Sequence, residues 1–239
     1  MTRVAESWLI DLHGTDDVWD DAACRGDLSA EESRRAEHLR PASAVTYARS
    51  RSAVRRVLAH VLGVSPADLP LAAAPDRHPV LPNHPGRHVS WSRSAGVLLV
   101  AVGHGGPVGA DVEAIRPVRS PARVLRRFSP DTDALGDLDD AEAFLSAWTL
   151  LEAAVKATGR GLAKGARDVR LHRPPDARRC ALLGIGGDGA EEWSGRTDRF
   201  AAPGSSVQLM TAVVARGPAV PSRPHAWRFP LGRLEKAPC

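Results

Sequence analysis

Two acidic elements about forty residues apart constrain this chain more than any other feature. The first is Gly109-Ala110-Asp111-Val112-Glu113, preceded by Pro107 and Val108. The second is Trp148-Thr149-Leu150-Leu151-Glu152-Ala153-Ala154-Val155-Lys156, followed by Gly159, Gly161 and Leu162. Residues two apart in a strand share a face. A strand here turns Asp111 and Glu113 the same way and sends Val108, Ala110 and Val112 into a core. Residues four apart in a helix share a face, so Trp148, Glu152 and Lys156 line one side of the second element. Where such a strand and helix meet, three carboxylates and an ammonium converge. That is the equipment of a magnesium-assisted reaction at a phosphate.

The rest of the sequence bounds the class. A length of 239 residues allows one large domain or two small ones. An apolar fraction of 43% supplies a packed core. No apolar run approaches the ~20 residues of a membrane helix. The segment MTRVAESWLIDLHGT lacks a signal-peptide core and cleavage site, so the expected compartment is the cytoplasm, with no membrane partner. Cys24, Cys180 and Cys239 have no metal-ligand spacing, and their odd number argues against a disulfide framework. The net charge of +4 suits nucleic acid, a phosphorylated ligand or an acidic protein. Arg-rich stretches at 33–40 and 49–56 raise nucleic acid, but aromatic residues are not interleaved and no binding motif is present. Nucleic acid is therefore not an expected partner.

Along the chain, residues 6–12 read as a strand. Ser29 is an N-cap, with Glu32 at the capping-box position. A helix runs from near Ala42 to Leu62, with Val54, Val57, Leu58 and Val61 at helical spacing and Gly63 as its C-cap. Residues 64–87 read as loop with short extended pieces. Strands follow at 96–102 and 107–113 around a Gly-rich turn, then helices near 120–128 and 139–158. Residues 167–215 read as strands with loops, and 216–239 as a peripheral tail.

These elements resemble the 4′-phosphopantetheinyl transferases of the surfactin-type group. That family's pattern is roughly G-[IV]-D-[IV]-E followed by W-x-x-K-E-A-x-x-K-x-x-G-x-G-L. Here it reads GADVE and WTLLEAAVKATGRGL. The stretch VSWSRSAGVLLVAV is similar to the family's [SN]-x-S-H-S segment, and APGSSVQLMTAVVA to its final strand region. The resemblance implies an α+β fold of two pseudo-symmetric α/β halves. Its boundaries fall at 1–106 (coenzyme A-binding side) and 107–215 (metal-binding side), with the tail at 216–239. It also implies a monomer, since two fused halves complete one site.

The implied reaction moves the 4′-phosphopantetheine arm of coenzyme A onto a serine of an acyl or peptidyl carrier protein. Adenosine 3′,5′-bisphosphate is released, and Mg2+ is the expected cofactor. Such carriers serve fatty acid, polyketide or nonribosomal peptide synthesis. In this reading Asp111, Glu113 and Glu152 hold the metal. Glu152, or a water held by Glu113, takes the serine proton. Lys156, Arg51, His78, Arg93 and Ser94 contact coenzyme A, and Trp148 packs the helix. Arg55 either assists Arg51 or is solvated.

Three positions depart from the family pattern. Arg93 replaces the histidine of S-H-S; it keeps a charge that can grip phosphate but cannot act as acid or base near neutral pH. Leu151 replaces the usual lysine before the glutamate and is expected to remove one cation from the site edge. Arg77-His78-Pro79 replaces G-K-P, and His78 can still donate to a phosphate. An alternative reading follows from these: a catalytically altered homologue that binds coenzyme A or carrier protein as an accessory.

Overall fold

A seven-residue strand, β1 (Ala5–Asp11), pairs antiparallel along its whole length with β5 (Val97–His104). The computed structural model describes residues 4–13, 19–73, 79–129, 135–175, 177–189, 192–202 and 205–227. Between β1 and β5 lie α1 (Asp21–Gly26), α2 (Ala30–Glu37), α3 (Pro41–Leu62), the two-residue strands β2 (Ala72–Ala73) and β3 (Pro79–Val80), and β4 (Arg87–Ser94). β4 pairs antiparallel with the other edge of β5. After β5 come β6 (Val108–Ala114), α4 (Pro121–Arg126), α5 (Ala141–Thr158) and α6 (Leu162–Gly165). They are followed by β7 (Val169–His172), β8 (Ala181–Ile185), β9 (Asp188–Gly189), β10 (Trp193–Ala201), β11 (Gln208–Arg216) and β12 (His225–Trp227).

Helix ends obey local chemistry. The Ser29 hydroxyl accepts the Glu32 N–H at 3.3 Å, and the Glu32 carboxylate accepts the Ser29 N–H at 2.9 Å, closing the expected capping box. Pro41 opens α3, and Gly63 ends it in the left-handed region at φ 69°. Asp140 caps α5 by accepting the Ala143 N–H at 3.0 Å, a contact worth about 1 kcal/mol.

The strands form a four-stranded sheet, β12-β1-β5-β4, and a three-stranded sheet, β10-β11-β6, with a smaller β7-β8-β9 sheet beside them. The near-continuous apolar run of β5 is explained by cover on both faces. Leu98, Val100 and Val102 pack with Val54, Val57 and Leu58 of α3. Val97, Leu99 and Ala101 pack with Val108, Ala110 and Val112 of β6 and with Leu209 and Val213 of β11. Beyond that second sheet, Met210, Ala212 and Val214 pack with Leu150, Ala153, Ala154 and Ala157 of α5. The protein is a mixed α and β structure in which the sheets lie between α3 and α5.

Two elements go beyond the sequence expectation. The sequence reading starts its strand only at residue 96, and pairing with β5 makes 87–94 a strand as well. Within the segment set apart as a tail, residues 225–227 pair parallel with β1 and extend the first sheet.

Candidate active site

The site begins where a strand and a helix touch without a side chain between them. A Cβ on Gly109 would lie 1.8 Å from the Ala153 carbonyl oxygen and 2.6 Å from the Ala157 nitrogen. Only glycine permits α5 to rest this closely on β6. On that same face of β6, Asp111 and Glu113 follow Gly109 at two-residue intervals. On α5 nearly every residue is buried, yet Trp148, Glu152 and Lys156 remain part-exposed in one stripe. The i, i+4 spacing read from the sequence is thus the spacing that reaches β6.

Asp111 is buried. Its Oδ1 accepts from Lys156 Nζ at 2.7 Å and from the Ser92 hydroxyl at 2.7 Å. Its Oδ2 is buried with no hydrogen-bond partner. Lys156 also donates to the Ala110 carbonyl at 3.2 Å and stands 4.0 Å from Glu152 Oε2. The Ser94 hydroxyl donates to Glu113 Oε2 at 3.0 Å, and Arg116 donates to the same oxygen at 3.2 Å.

The electrostatics are unbalanced. Burial raises the Asp111 carboxyl above its ordinary range, outweighing Lys156 and Ser92. Glu152 is pushed up to about 7, first by burial, then by the negative charges of Asp111 and Glu113, against the pull of Lys156. Three carboxylates face the Lys156 ammonium and, at the exposed rim, the Arg116 guanidinium.

Among the described residues, no group of three His, Cys, Asp or Glu side chains is arranged to hold a metal ion. Lys156 supplies the positive charge at Asp111 instead. The chemistry of the donors nonetheless suits a hard cation: all are carboxylate oxygens, and one of them is buried and unpartnered.

The other anticipated residues are distributed differently. Arg51 lies on α3, ion-paired with Glu32 and 4.8 Å over the ring of Trp91. Arg55 is not solvated: it is 1% exposed, donates to Glu32 at 2.6 Å and bonds the carbonyls of Pro66 and Leu69 at 2.9 and 3.2 Å. Burial raises the Glu32 carboxyl, but Arg51, the Ser29 N–H and Arg55 more than offset this and hold it below its ordinary value. Arg93 is exposed. Strand alternation puts it with Val89 and Trp91, on the α3 side of β4, away from Ser92 and Ser94. Arg77 and His78 lie outside the described residues.

Leu151 corrects an expectation. It is fully buried in the core of α5, not at the site edge. One residue before Glu152 on a helix is a turn of about 100° away, which here points into apolar packing. Trp148 stacks on Phe144 at 6.1 Å and meets Phe128 edge-on at 5.6 Å, anchoring the helix. Ser92 was missed as a neighbour of Asp111. Its only sequence signal was its alternation with Ser90 and Ser94.

Comparison with known proteins bears on the same stretch. Residues 107–203 match the model of the 4′-phosphopantetheinyl transferase superfamily. The matched segment carries both acidic elements. Over 166 residues, 66% of this chain, the sequence is 28% identical to the 4′-phosphopantetheinyl transferase HetI of Nostoc sp.. Over 151 residues, 59% of this chain, it is 28% identical to a putative 4′-phosphopantetheinyl transferase of Synechocystis sp.. These matches span 69% and 61% of the two relatives. Asp111, Glu113, Glu152 and Lys156 all lie within the residues that match that model.

Proposed function

We propose that this protein transfers the 4′-phosphopantetheine arm of coenzyme A to a serine of an apo acyl or peptidyl carrier protein, in the manner of the surfactin-type group. One observation carries the reading: Asp111, Glu152 and Lys156 meet where β6 crosses α5, inside the segment that matches the superfamily model. Asp111 and Glu152, with Glu113 beside them, would hold Mg2+. When bound, that ion would neutralise charge on the pyrophosphate oxygens and on the leaving phosphate.

The chain's own groups supply the rest. The carrier serine oxygen forms a bond to the phosphorus that bears the pantetheine arm. The bond from that phosphorus to the bridging oxygen breaks, and adenosine 3′,5′-bisphosphate leaves with the electron pair. The serine proton passes to Glu152 or to a water beside Glu113. Lys156 turns from Asp111 to the phosphates. Arg51, Arg93 and, beyond the described residues, His78 bind coenzyme A from the 1–106 side, while 107–215 carries the metal side. Ser94 borders that junction. Leu151 departs from the family pattern at a position buried in the core of α5, not among the site's side chains.

The test incubates purified protein with coenzyme A, Mg2+ and a panel of apo carrier proteins, and weighs the carriers by intact mass spectrometry. A phosphopantetheine-sized gain that is lost in Asp111→Ala and Glu152→Ala is the expected result. Tight coenzyme A binding with no gain on any carrier would replace this reading with the accessory one.

A further inference from the structure

The first and second sheets meet at β4 and β6 through hydroxyls instead of a backbone ladder. β4 pairs with β5, and β6 pairs with β11; the two are not neighbours in either sheet. Three serines at two-residue intervals span the gap. Ser90 accepts the Ala110 N–H at 3.0 Å, so it holds main chain alone. Ser92 and Ser94 do something different. The Ser92 hydroxyl donates to Asp111 Oδ1, the oxygen that also receives Lys156. The Ser94 oxygen accepts the Ala114 N–H at 3.2 Å, which aims its own proton at Glu113 Oε2. Each carboxylate is thus pinned through one oxygen. At Asp111 the other oxygen is left buried and unpartnered.

We propose that Ser92 and Ser94 are positioning residues that fix Asp111 and Glu113 in the orientation in which they bind a divalent cation. This rests on the metal-dependent reading above and adds to it two residues that touch the carboxylates. A buried carboxylate free to rotate would turn both oxygens toward Lys156 and the neighbouring amides. A hydroxyl donor on one oxygen prevents this and keeps the second available. Donors behind metal ligands typically change metal affinity by about 10–100-fold.

The experiment titrates the full chain with Mn2+ and follows free ion by electron paramagnetic resonance, beside thermal unfolding. The wild type is expected to bind Mn2+. Ser92→Ala and Ser94→Ala are expected to weaken binding by about 10-fold or more. Ser92→Thr, which keeps the hydroxyl, is expected to recover most of the loss. Ser90→Ala is expected to lower the melting temperature while leaving Mn2+ affinity unchanged. If Ser92→Ala does not fold, Ser92→Cys takes its place, since a thiol is a similar shape and a weak donor. Affinities of the Ser92 and Ser94 variants within twofold of a wild type that does bind would overturn the inference alone. No Mn2+ binding by any form would overturn the metal reading and this inference with it.

Discussion

Two inward-facing glutamates, Glu32 on α2 and Glu152 on α5, show how neighbours decide what burial does to a carboxyl. Glu32 is enclosed by Arg51, Arg55 and the Ser29 N–H, and its carboxyl is held low despite burial. Glu152 faces Asp111 and Glu113 with only Lys156 in opposition, and its carboxyl rises to about 7. In the first cluster two guanidiniums fully pair one carboxylate, and the cluster ties α2, α3 and the loop at 66–69 together. The second is incomplete: it retains a proton or requires a cation from outside. A carboxylate whose charge is matched builds the fold, and an unmatched one is where a cation has something to contribute.

The largest test of this contrast is Asp111→Ala. Transfer to a carrier protein should fall on the order of 10³-fold, read by the mass assay, with the melting temperature unchanged or raised. Activity within tenfold of wild type would mean the incomplete cluster is not the site. Arg55→Met attacks the complete cluster. It leaves a buried carboxylate short of a partner and should cost about 3 kcal/mol in urea unfolding, with little change in Mn2+ affinity.

Glu152→Gln sharpens the comparison through pH. The folded carboxyl at about 7 lies above the ordinary 4.5, so between these values the folded state binds more protons than the unfolded one. The contribution to stability is therefore fully present below about pH 4.5 and is lost as pH rises through 7. With a chelator present, Glu152→Gln should be more stable than wild type by about 2 kcal/mol at pH 8, after solvent screening is allowed for. The two should converge near pH 4.5. Glu32 has the opposite sign. Its lowered carboxyl stabilises above its ordinary value, and that support is lost as pH falls through the folded one. A Glu152→Gln curve that tracks wild type across the whole range would contradict the crowding of carboxylates. The smallest stability effect belongs to Arg93→Ala. Exposed and outside both clusters, it should shift unfolding by less than about 0.5 kcal/mol, while weakening coenzyme A about tenfold by isothermal titration.

Much of this was legible in the sequence where the signal is local. Ser29 and Glu32, Gly63, and the stripe Trp148-Glu152-Lys156 are periodic or capping patterns, and such patterns act within a turn or two. What was hidden lay across the chain. Nothing in residues 49–56 says that Arg55 is buried, because its partners are Glu32 and two loop carbonyls far along the sequence. Ser92 reads as a polar residue ahead of a strand until β6 arrives beside it. Leu151 reads as a lost cation when the motif is aligned letter by letter. Helical geometry turns it inward. The pairing of 225–227 with β1 joins residues more than two hundred apart, and no short-range pattern encodes it.

The contact at Gly109 has a consequence for how the protein tolerates change. Where side chains keep two elements apart, exchanging a leucine for a valine changes their separation. Here main chain rests on main chain, with the Ala153 carbonyl and Ala157 nitrogen against a residue that has nothing to substitute. The gap between the two carriers of the acidic groups is therefore a dimension of the polypeptide itself. The surrounding core is free to diversify while that one measurement stays the same.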